Sequence, residues 1–298
     1  MTKSFTYKAL DRLFNLLGNL SLKNRLRVGA LLSVVAPVLM KRRVSIVKTN
    51  LQLSFPDASQ EQRDRWCKQH IRALCQSIVD RGFIWYGPKE KIKEQVSVTG
   101  FEHLAEALEK RQSIILLAPH FIGLDVAASR LCMHAPESAT IYTAQRNPDI
   151  DAIVRKGRGR FNKAHLIERK EGVRGMLRYL KQGVPVYYLP DMDFGRKGSI
   201  FVPFFGIQAA TLPTTAVLAD KWQAKIFPVY SRWDPESGHY TVEVLPALEN
   251  FPGDQTVEQA TASINQLIET LILRDPSQYY WVHRRFKTRP DPDEPKYY

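Results

Sequence analysis

The sequence predicts an α/β layered domain behind a basic, apolar N-terminal segment. Three observations predict it. Short continuous apolar runs recur along the chain, such as "SIILLA" at 113–118 and "VPVYYLP" at 184–190, as in strands buried on both faces. Stretches with apolar residues three or four apart alternate with those runs, which is the pattern of helices layered on a sheet. No linker rich in Gly, Ser or Pro divides the chain, so 45–298 reads as one domain following a segment 1–44. With 298 residues, 44% of them hydrophobic, there is material for a sizeable core.

Residues 1–50 hold ten Lys/Arg and a single acid, Asp11. Leu10, Phe14 and Leu17 share one helical face. The longest uncharged stretch, Val28 to Met40, is thirteen residues and contains Pro37, short of the ~20 residues that span a bilayer. "KRR" closes it where a signal peptide would carry a small-residue cleavage site. Basic residues beside short apolar stripes predict helices lying on an anionic membrane surface. The alternative is an amphipathic helix packed on the rest of the protein.

Residues 60–82 carry Trp66, Ile71, Leu74 and Ile78 on one face of a helix. A second helix is expected over 101–110, followed by the strand at 113–118. "ESATIYTA" (137–144) reads as the next strand. "GVRGMLRYLKQG" (172–183) is a helix with a glycine stop. Strands follow at 184–190, 224–233 and 240–246. The last helix, 256–275, opens with a Thr256–Gln259 capping box. The tail from about 289 is rich in proline and charge and reads as irregular. Cys67, Cys75 and Cys132 fit neither a disulfide framework nor a metal pattern, and read as buried small apolar residues.

The chemistry concentrates in "LLAPHFIGLDVAAS" (116–129). His120 falls just past a strand end, where α/β sheets bind ligands. Asp125 falls in the first turn of a helix, favoured there by the dipole. From that position it can reach back to the imidazole, fix its tautomer and leave the other nitrogen as a general base. Spacing alone leaves open a surface histidine beside a helix-capping carboxylate. "RKGRGRFNK" (155–163) has five positive charges, two glycines and no acid. It suits phosphate or sulfate binding, because arginine offers paired donors to anionic oxygens, or is a solvated basic face. Asp191, in "LPDMDFGRKGSIFVPFFG" (189–206), ends another strand in the same layer as His120. Asp191 and Asp193 lack a third ligand, so an arginine of the basic stretch is the expected partner of Asp191 rather than a metal. "SIFVPFFG" lines an apolar groove or packs in the core.

A formal net charge of +13 calls for an anionic partner. "YYWVHRRFKTRP" (279–290) mixes aromatics with cations, as single-strand nucleic-acid sites do. No helix-turn-helix, RNP or zinc pattern accompanies it, and a phospholipid or phosphosugar surface fits it equally.

Taken together, these blocks carry a resemblance. "PHFIGLD" resembles the HX4D motif of the lysophospholipid-type acyltransferases. With "RRVSIVKTNLQLSFPDAS" (42–59), "KGRGRFNK", the 189–206 block and "YYWVHRRFKTRP", the chain resembles the late acyltransferases of lipid A biosynthesis, the lauroyl/myristoyl transferase family, from about residue 40 to the C-terminus. Pro119 replaces the Asn usual in phospholipid enzymes, and Leu189-Pro190-Asp191-Met192 replaces their Phe-Pro-Glu-Gly block. Both departures favour the lipid A branch. Some members of that branch have Glu where this chain has Asp125. A transmembrane N-terminal helix is common among them, whereas the run here is short.

The resemblance implies a mixed sheet flanked by helices, with an apolar channel and N-terminal membrane-associating helices. It implies transfer of a fatty acyl chain from acyl carrier protein to the hydroxyl of a 3-hydroxyacyl chain on a Kdo-bearing lipid A precursor. The setting would be the cytoplasmic face of the inner membrane of Gram-negative bacteria. It assigns His120 as base, Asp125 as its orienting carboxylate, Arg158 to substrate phosphate or site structure, and Asp191 to the third block, with Arg160 a secondary candidate. A thioester is already activated, so no cofactor or metal is expected, and no nucleic acid. The competing readings are acylation of lysophosphatidic acid or another glycerolipid, and a non-catalytic basic binding protein indifferent to loss of His120.

Overall fold

A computed structural model describes residues 4–298. Helices come first: α1 (Phe5–Asn19), α2 (Leu22–Leu39), α3 (Lys41–Ser54), α4 (Gln60–Tyr86) and α5 (Lys89–Gln95), which runs into β1 (Val96–Thr99). Alternation follows, with α6 (Glu102–Glu109), β2 (Ile114–Leu117), α7 (Leu124–Leu131), β3 (Glu137–Tyr142), α8 (Pro148–Arg158), β4 (Lys163–Glu168), α9 (Gly172–Leu180) and β5 (Val186–Tyr188). The hairpin β6 (Ile200–Phe204)–β7 (Ile207–Thr211), then α10 (Thr214–Trp222), β8 (Lys225–Trp233), β9 (Tyr240–Val244) and α11 (Val257–Arg274) complete the chain. Serine hydroxyls of Ser4, Ser21 and Ser59 cap α1, α2 and α4 by accepting first-turn amides. α11 has the reciprocal Thr256–Gln259 box that its sequence announces.

Seven strands form one sheet in the order β1-β9-β8-β2-β5-β3-β4. All neighbours are parallel except β8 and β9, so the sheet is mixed. Central β2 is buried at all four positions, which explains its unbroken Ile-Ile-Leu-Leu run. "SIFVPFFG" is largely the hairpin strand β6, and Phe204 and Val202 lie in the core. Of the cysteines, Cys67 and Cys75 are buried, and Cys132 is partly so.

α1 and α2 lie against α4. A buried network fixes α2 there. Arg25 Nε donates to Asp80 at 2.9 Å, Gln76 donates to Asp80 at 3.0 Å, and Tyr240 of β9 donates to the same carboxylate at 2.9 Å. In the far half of α2, Ala36 packs on Ile71 and Cys75 of α4, while the outer face has no cover. Leu31, Leu32, Val34, Val35, Val38 and Leu39 are exposed. Among the described residues, no helix is long and apolar enough to cross a membrane.

Two blocks of the sequence, one in α3 and one in the C-terminal segment, meet in the fold. Asn50 of α3, fully buried, donates to the carbonyls of Trp281 and His283, both at 2.6 Å. Arg43 donates to Val282 O at 3.0 Å. From the other side, Arg285 donates to Ala210 O and Thr211 Oγ1 of β7, both at 2.8 Å. The aromatic–basic segment is therefore stitched between α3 and the hairpin, and its order passes to the site below.

His70 of α4 lies wholly inside the protein, its Nδ1–H donating to Ser277 O at 3.1 Å and its Nε2 without a partner. Burial lowers its pKa to about 4, against 6.5 when free. The folded protein therefore binds this proton less readily than the unfolded chain. The stabilisation is fully present above pH 6.5 and lost as pH falls from there toward 4, on the order of 3 kcal/mol in total. Urea unfolding at pH 7.5 and pH 4.5 should show this loss, and a His70→Asn variant should show a visibly flatter pH dependence.

Candidate active site

Register builds the site. β2 and β5 are adjacent and parallel, with Leu117 opposite Tyr188. Ala118 N–H still donates to Tyr188 O at 2.9 Å, which carries the pairing one step past the strand ends. Three residues beyond each strand, at the same level, stand His120 and Asp191. They bond twice. The backbone N–H of His120 donates to Asp191 Oδ2 and its ring Nδ1–H to Oδ1, both at 2.8 Å. With Nδ1 carrying the hydrogen, Nε2 is the basic nitrogen, and His120 lines the large cavity.

Asp191 is 1% exposed. Burial alone would raise its carboxyl, but the positive charge of His120 and the two hydrogen bonds from that residue outweigh burial and hold it at about 2. It is thus an anion throughout the range in which an imidazole titrates. The loop carrying His120 is held from behind by the C-terminal segment: Tyr280 N–H donates to His120 O at 2.8 Å and Ile122 N–H to Gln278 O at 2.7 Å. Asp193 ties the other loop to the same segment, accepting from Thr288 N at 2.7 Å and Thr288 Oγ1 at 2.8 Å while its own N–H donates to His283 Nε2 at 2.8 Å.

The two carboxylates have exchanged the partners that the sequence suggested. Asp125, expected to orient His120, lies in the first turn of α7 and accepts instead from Arg158 at 3.0 Å and Arg81 at 3.1 Å. Burial disfavours its charge, yet the two guanidinium groups outweigh this and lower its pKa. Asp191, expected to hold an arginine of the basic stretch, holds the histidine. Arg81 and Arg158 take both oxygens of Asp125, while the neighbouring parallel strand delivers Asp191 directly beside the imidazole.

The basic stretch also resolves differently from a phosphate loop. Residues 155–158 are the last turn of α8. Gly157 is there because a Cβ would stand 2.4 Å from the Trp85 ring, so glycine lets α8 close onto α4. Arg160, a candidate for substrate, donates to Ile84 O at 3.0 Å and Gly87 O at 2.5 Å. It satisfies the terminal carbonyls of α4 and does not line the cavity. Arg158 does line it, partly covered by Tyr142, whose ring its guanidinium faces at 5.4 Å.

The cavity holds about 720 Å³. His120, Asp125, Arg158, Arg81 and Tyr280 line it, and Leu104, Leu108, Leu131, Val173 and Met176 give it apolar walls, joined by Phe101 just before α6. Arg81, Arg158, Arg169 and Lys197 contribute four cations to the lining, and Asp125 the one carboxylate. Such a space takes a long apolar group joined to an anionic head. Tyr280 was visible in the sequence as part of its aromatic–basic block. Arg81 was not: it is one arginine on an amphipathic helix, forty-four positions from Asp125.

Arg158→Ala should lower kcat/KM by about 10²-fold or more, because it removes a cation from the cavity wall and half of the support of Asp125. Arg81 retains the carboxylate, so the melting temperature should change little. Unchanged steady-state kinetics would remove Arg158 from the site.

Comparison with known proteins adds the chemistry of relatives. A family model for bacterial lipid A biosynthesis acyltransferases matches residues 9–288. The chain is 35% identical over 266 residues to the lipid A biosynthesis lauroyltransferase of Escherichia coli (strain K12), covering 89% of this chain and 86% of that protein. It is 34% identical over 264 residues to the lipid A biosynthesis palmitoleoyltransferase of the same strain, 88% of this chain and 85% of that one. The corresponding myristoyltransferase is 28% identical over 242 residues, 80% of this chain and 74% of that one.

Proposed function

This chain belongs to the bacterial lipid A biosynthesis acyltransferases and is an O-acyltransferase, and from that premise we propose the reaction, substrates and setting as follows. The enzyme transfers a fatty acyl chain from acyl carrier protein to the hydroxyl of a 3-hydroxyacyl chain on a Kdo-bearing lipid A precursor. The observation that carries this reading is the His120–Asp191 pair facing an apolar cavity with a cationic rim.

In this mechanism, Nε2 of His120 takes the proton of the acceptor hydroxyl as its oxygen attacks the thioester carbonyl carbon. Asp191 holds the ring in the required tautomer and stabilises the imidazolium. Collapse of the tetrahedral adduct breaks the C–S bond, and the proton on Nε2 passes to the departing sulfur. Attack is direct, without an acyl-enzyme. The acyl chain occupies the apolar interior. Arg158, set by Asp125 and Arg81, meets anionic groups of the substrate.

The setting proposed is the cytoplasmic face of the inner membrane. Exposed Leu31, Leu32, Val34, Val35, Val38 and Leu39 on α2 are bracketed in sequence by exposed cations, Lys23 and Arg27 before them and Lys41 and Arg42 after. This arrangement suits a helix seated in the interface of anionic lipid.

The test is incubation with a mixture of acyl-carrier-protein donors and the tetra-acylated precursor, with lysophosphatidic acid as a competing acceptor, read by product mass. A precursor heavier by one acyl group is the expected product. Acylation of lysophosphatidic acid alone would transfer the chain to glycerolipid chemistry. A covalent acyl-enzyme trapped during turnover would overturn direct attack.

A further inference from the structure

Two of the four cations lining the cavity are committed. Arg81 and Arg158 share Asp125. The other two, Arg169 and Lys197, are exposed, and neither forms an ion pair with a described carboxylate. The acids closest to Arg169 in sequence are engaged elsewhere. Glu168 pairs with Lys170 at 2.8 Å. Glu171 pairs with Arg178 at 2.9 Å and also accepts the Glu168 amide.

Both cations are presented by ordered backbone. Arg169 lays its guanidinium over the Phe194 ring at 4.7 Å, and Phe194 stands three residues before Lys197 in the loop after β5. That loop is tied down at several points. Gly195 N–H donates to Asp193 at 2.8 Å, and Ser199 Oγ to Gly195 O at 2.7 Å. Arg196 donates to the carbonyls of Arg289 at 2.7 Å and Pro290 at 3.1 Å. Gly195 and Gly198 flank Arg196 and Lys197 with φ of +90° and +75°, values that a side-chain-bearing residue rarely adopts. On the other side, the first residues of α9, Gly172 and Val173, line the same cavity, and α9 has no side-chain N-cap. The Gly172 N–H itself donates to Arg169 O, which ties the backbone of that residue to the start of α9.

We propose that Arg169 and Lys197 form an anion site at the rim of the acyl cavity, separate from the Arg158–Asp125–Arg81 cluster, that binds a phosphate ester of one substrate. The proposal rests on the acyl-transfer reading above and assigns to these two residues a role in holding substrate rather than in the chemistry. A guanidinium and an ammonium together suit a phosphate ester: one offers paired donors, the other a compact charge. Two substrates of the proposed reaction carry such an ester. The donor has a phosphodiester in the arm of its carrier protein, and the acceptor has sugar phosphates.

The test compares the wild-type enzyme with the double variant Arg169→Gln plus Lys197→Gln, in four substrate combinations. The acyl donor is presented as acyl-phosphopantetheine or as acyl-pantetheine. The acceptor is presented with or without its phosphates. The double variant should raise KM about tenfold or more for one phosphorylated substrate, leave kcat within about twofold, and show no defect when that substrate lacks phosphate. Which substrate shows the effect names the source of the phosphate. An unchanged KM, or an equal loss with the phosphate-free forms of both, overturns the proposal.

A second measurement separates this outcome from failure of the acyl-transfer reading. Calorimetric titration with dodecyl phosphate below its micelle concentration, against dodecanol, needs no turnover. Wild-type protein should prefer the phosphate about tenfold, and the double variant should lose that preference. If the enzyme turns over neither acceptor, the acyl-transfer reading fails and this titration alone decides the anion site. A preference that is absent in the wild type, or retained in the double variant, overturns it.

Discussion

His120→Ala should lower kcat/KM by about 10³–10⁴-fold while retaining the fold, as expected when a general base is removed and the binding cavity is left intact. The structure gives the reason the fold should survive. Asp191 keeps the hydrogen bond from the backbone N–H of residue 120, and the loop remains held by Tyr280 and Gln278. Removing the imidazole leaves one oxygen of a buried carboxylate without its donor. The cost is about 1–3 kcal/mol, visible as a lower melting temperature but short of unfolding. Circular dichroism and thermal melting measure that part, and acyl transfer followed by product mass measures the other. Activity within tenfold of wild type would mean that His120 is not the base, and would leave the non-catalytic binding protein as the better account.

Asp191→Asn is expected to have a comparable effect for a different reason. The amide oxygen can still accept from the backbone N–H of His120. Its NH2 then faces Nδ1, which must become the acceptor, so the ring hydrogen moves to Nε2. The nitrogen facing the cavity is then a donor and cannot take a proton from a hydroxyl. Where a carboxylate fixes a catalytic histidine in this way, the carboxamide costs about 10⁴-fold in kcat, and a similar loss is expected here. Asp125→Asn is the control. It weakens the hold on Arg158 and Arg81 without touching the ring, so its defect should fall largely on KM and be smaller by an order of magnitude or more. The reverse ranking, with Asp125→Asn crippled in kcat and Asp191→Asn active, would restore the partner expected from the HX4D spacing.

These two variants bear on the point at which sequence and structure part. The His-x4-Asp spacing places both residues on one strand–helix junction, and the reading that they touch is the natural one from a single segment. Instead the contact runs between residues 71 positions apart. Nothing in the periodicity of either segment encodes it, because it follows from the register of β2 on β5. The same holds for "RKGRGRFNK", where composition suggested an anion-binding loop. Only packing shows that Gly157 is shaped by Trp85 and that Arg160 serves the end of α4.

By itself, the sequence determined the α/β class, because buried strands and amphipathic helices write their burial into local apolar patterns. It determined the strands at 113–118, 137–144, 184–190, 224–233 and 240–246, each of which overlaps one in the structure, and the capped helix α11. It placed His120 past the end of a central strand, and it carried enough motif to show the family. It did not reveal the strands β1, β4, β6 and β7 or the helices α3, α5, α8 and α10, whose patterns are short, weakly apolar or interrupted by charge or proline. The tertiary structure alone decided which carboxylate serves the imidazole, which arginines face the cavity and which cap a helix. The physical reason is the range of the information. Side-chain patterning reports what a residue faces within one or two turns of chain, while catalytic geometry here is set by strand register and helix packing between segments far apart in sequence.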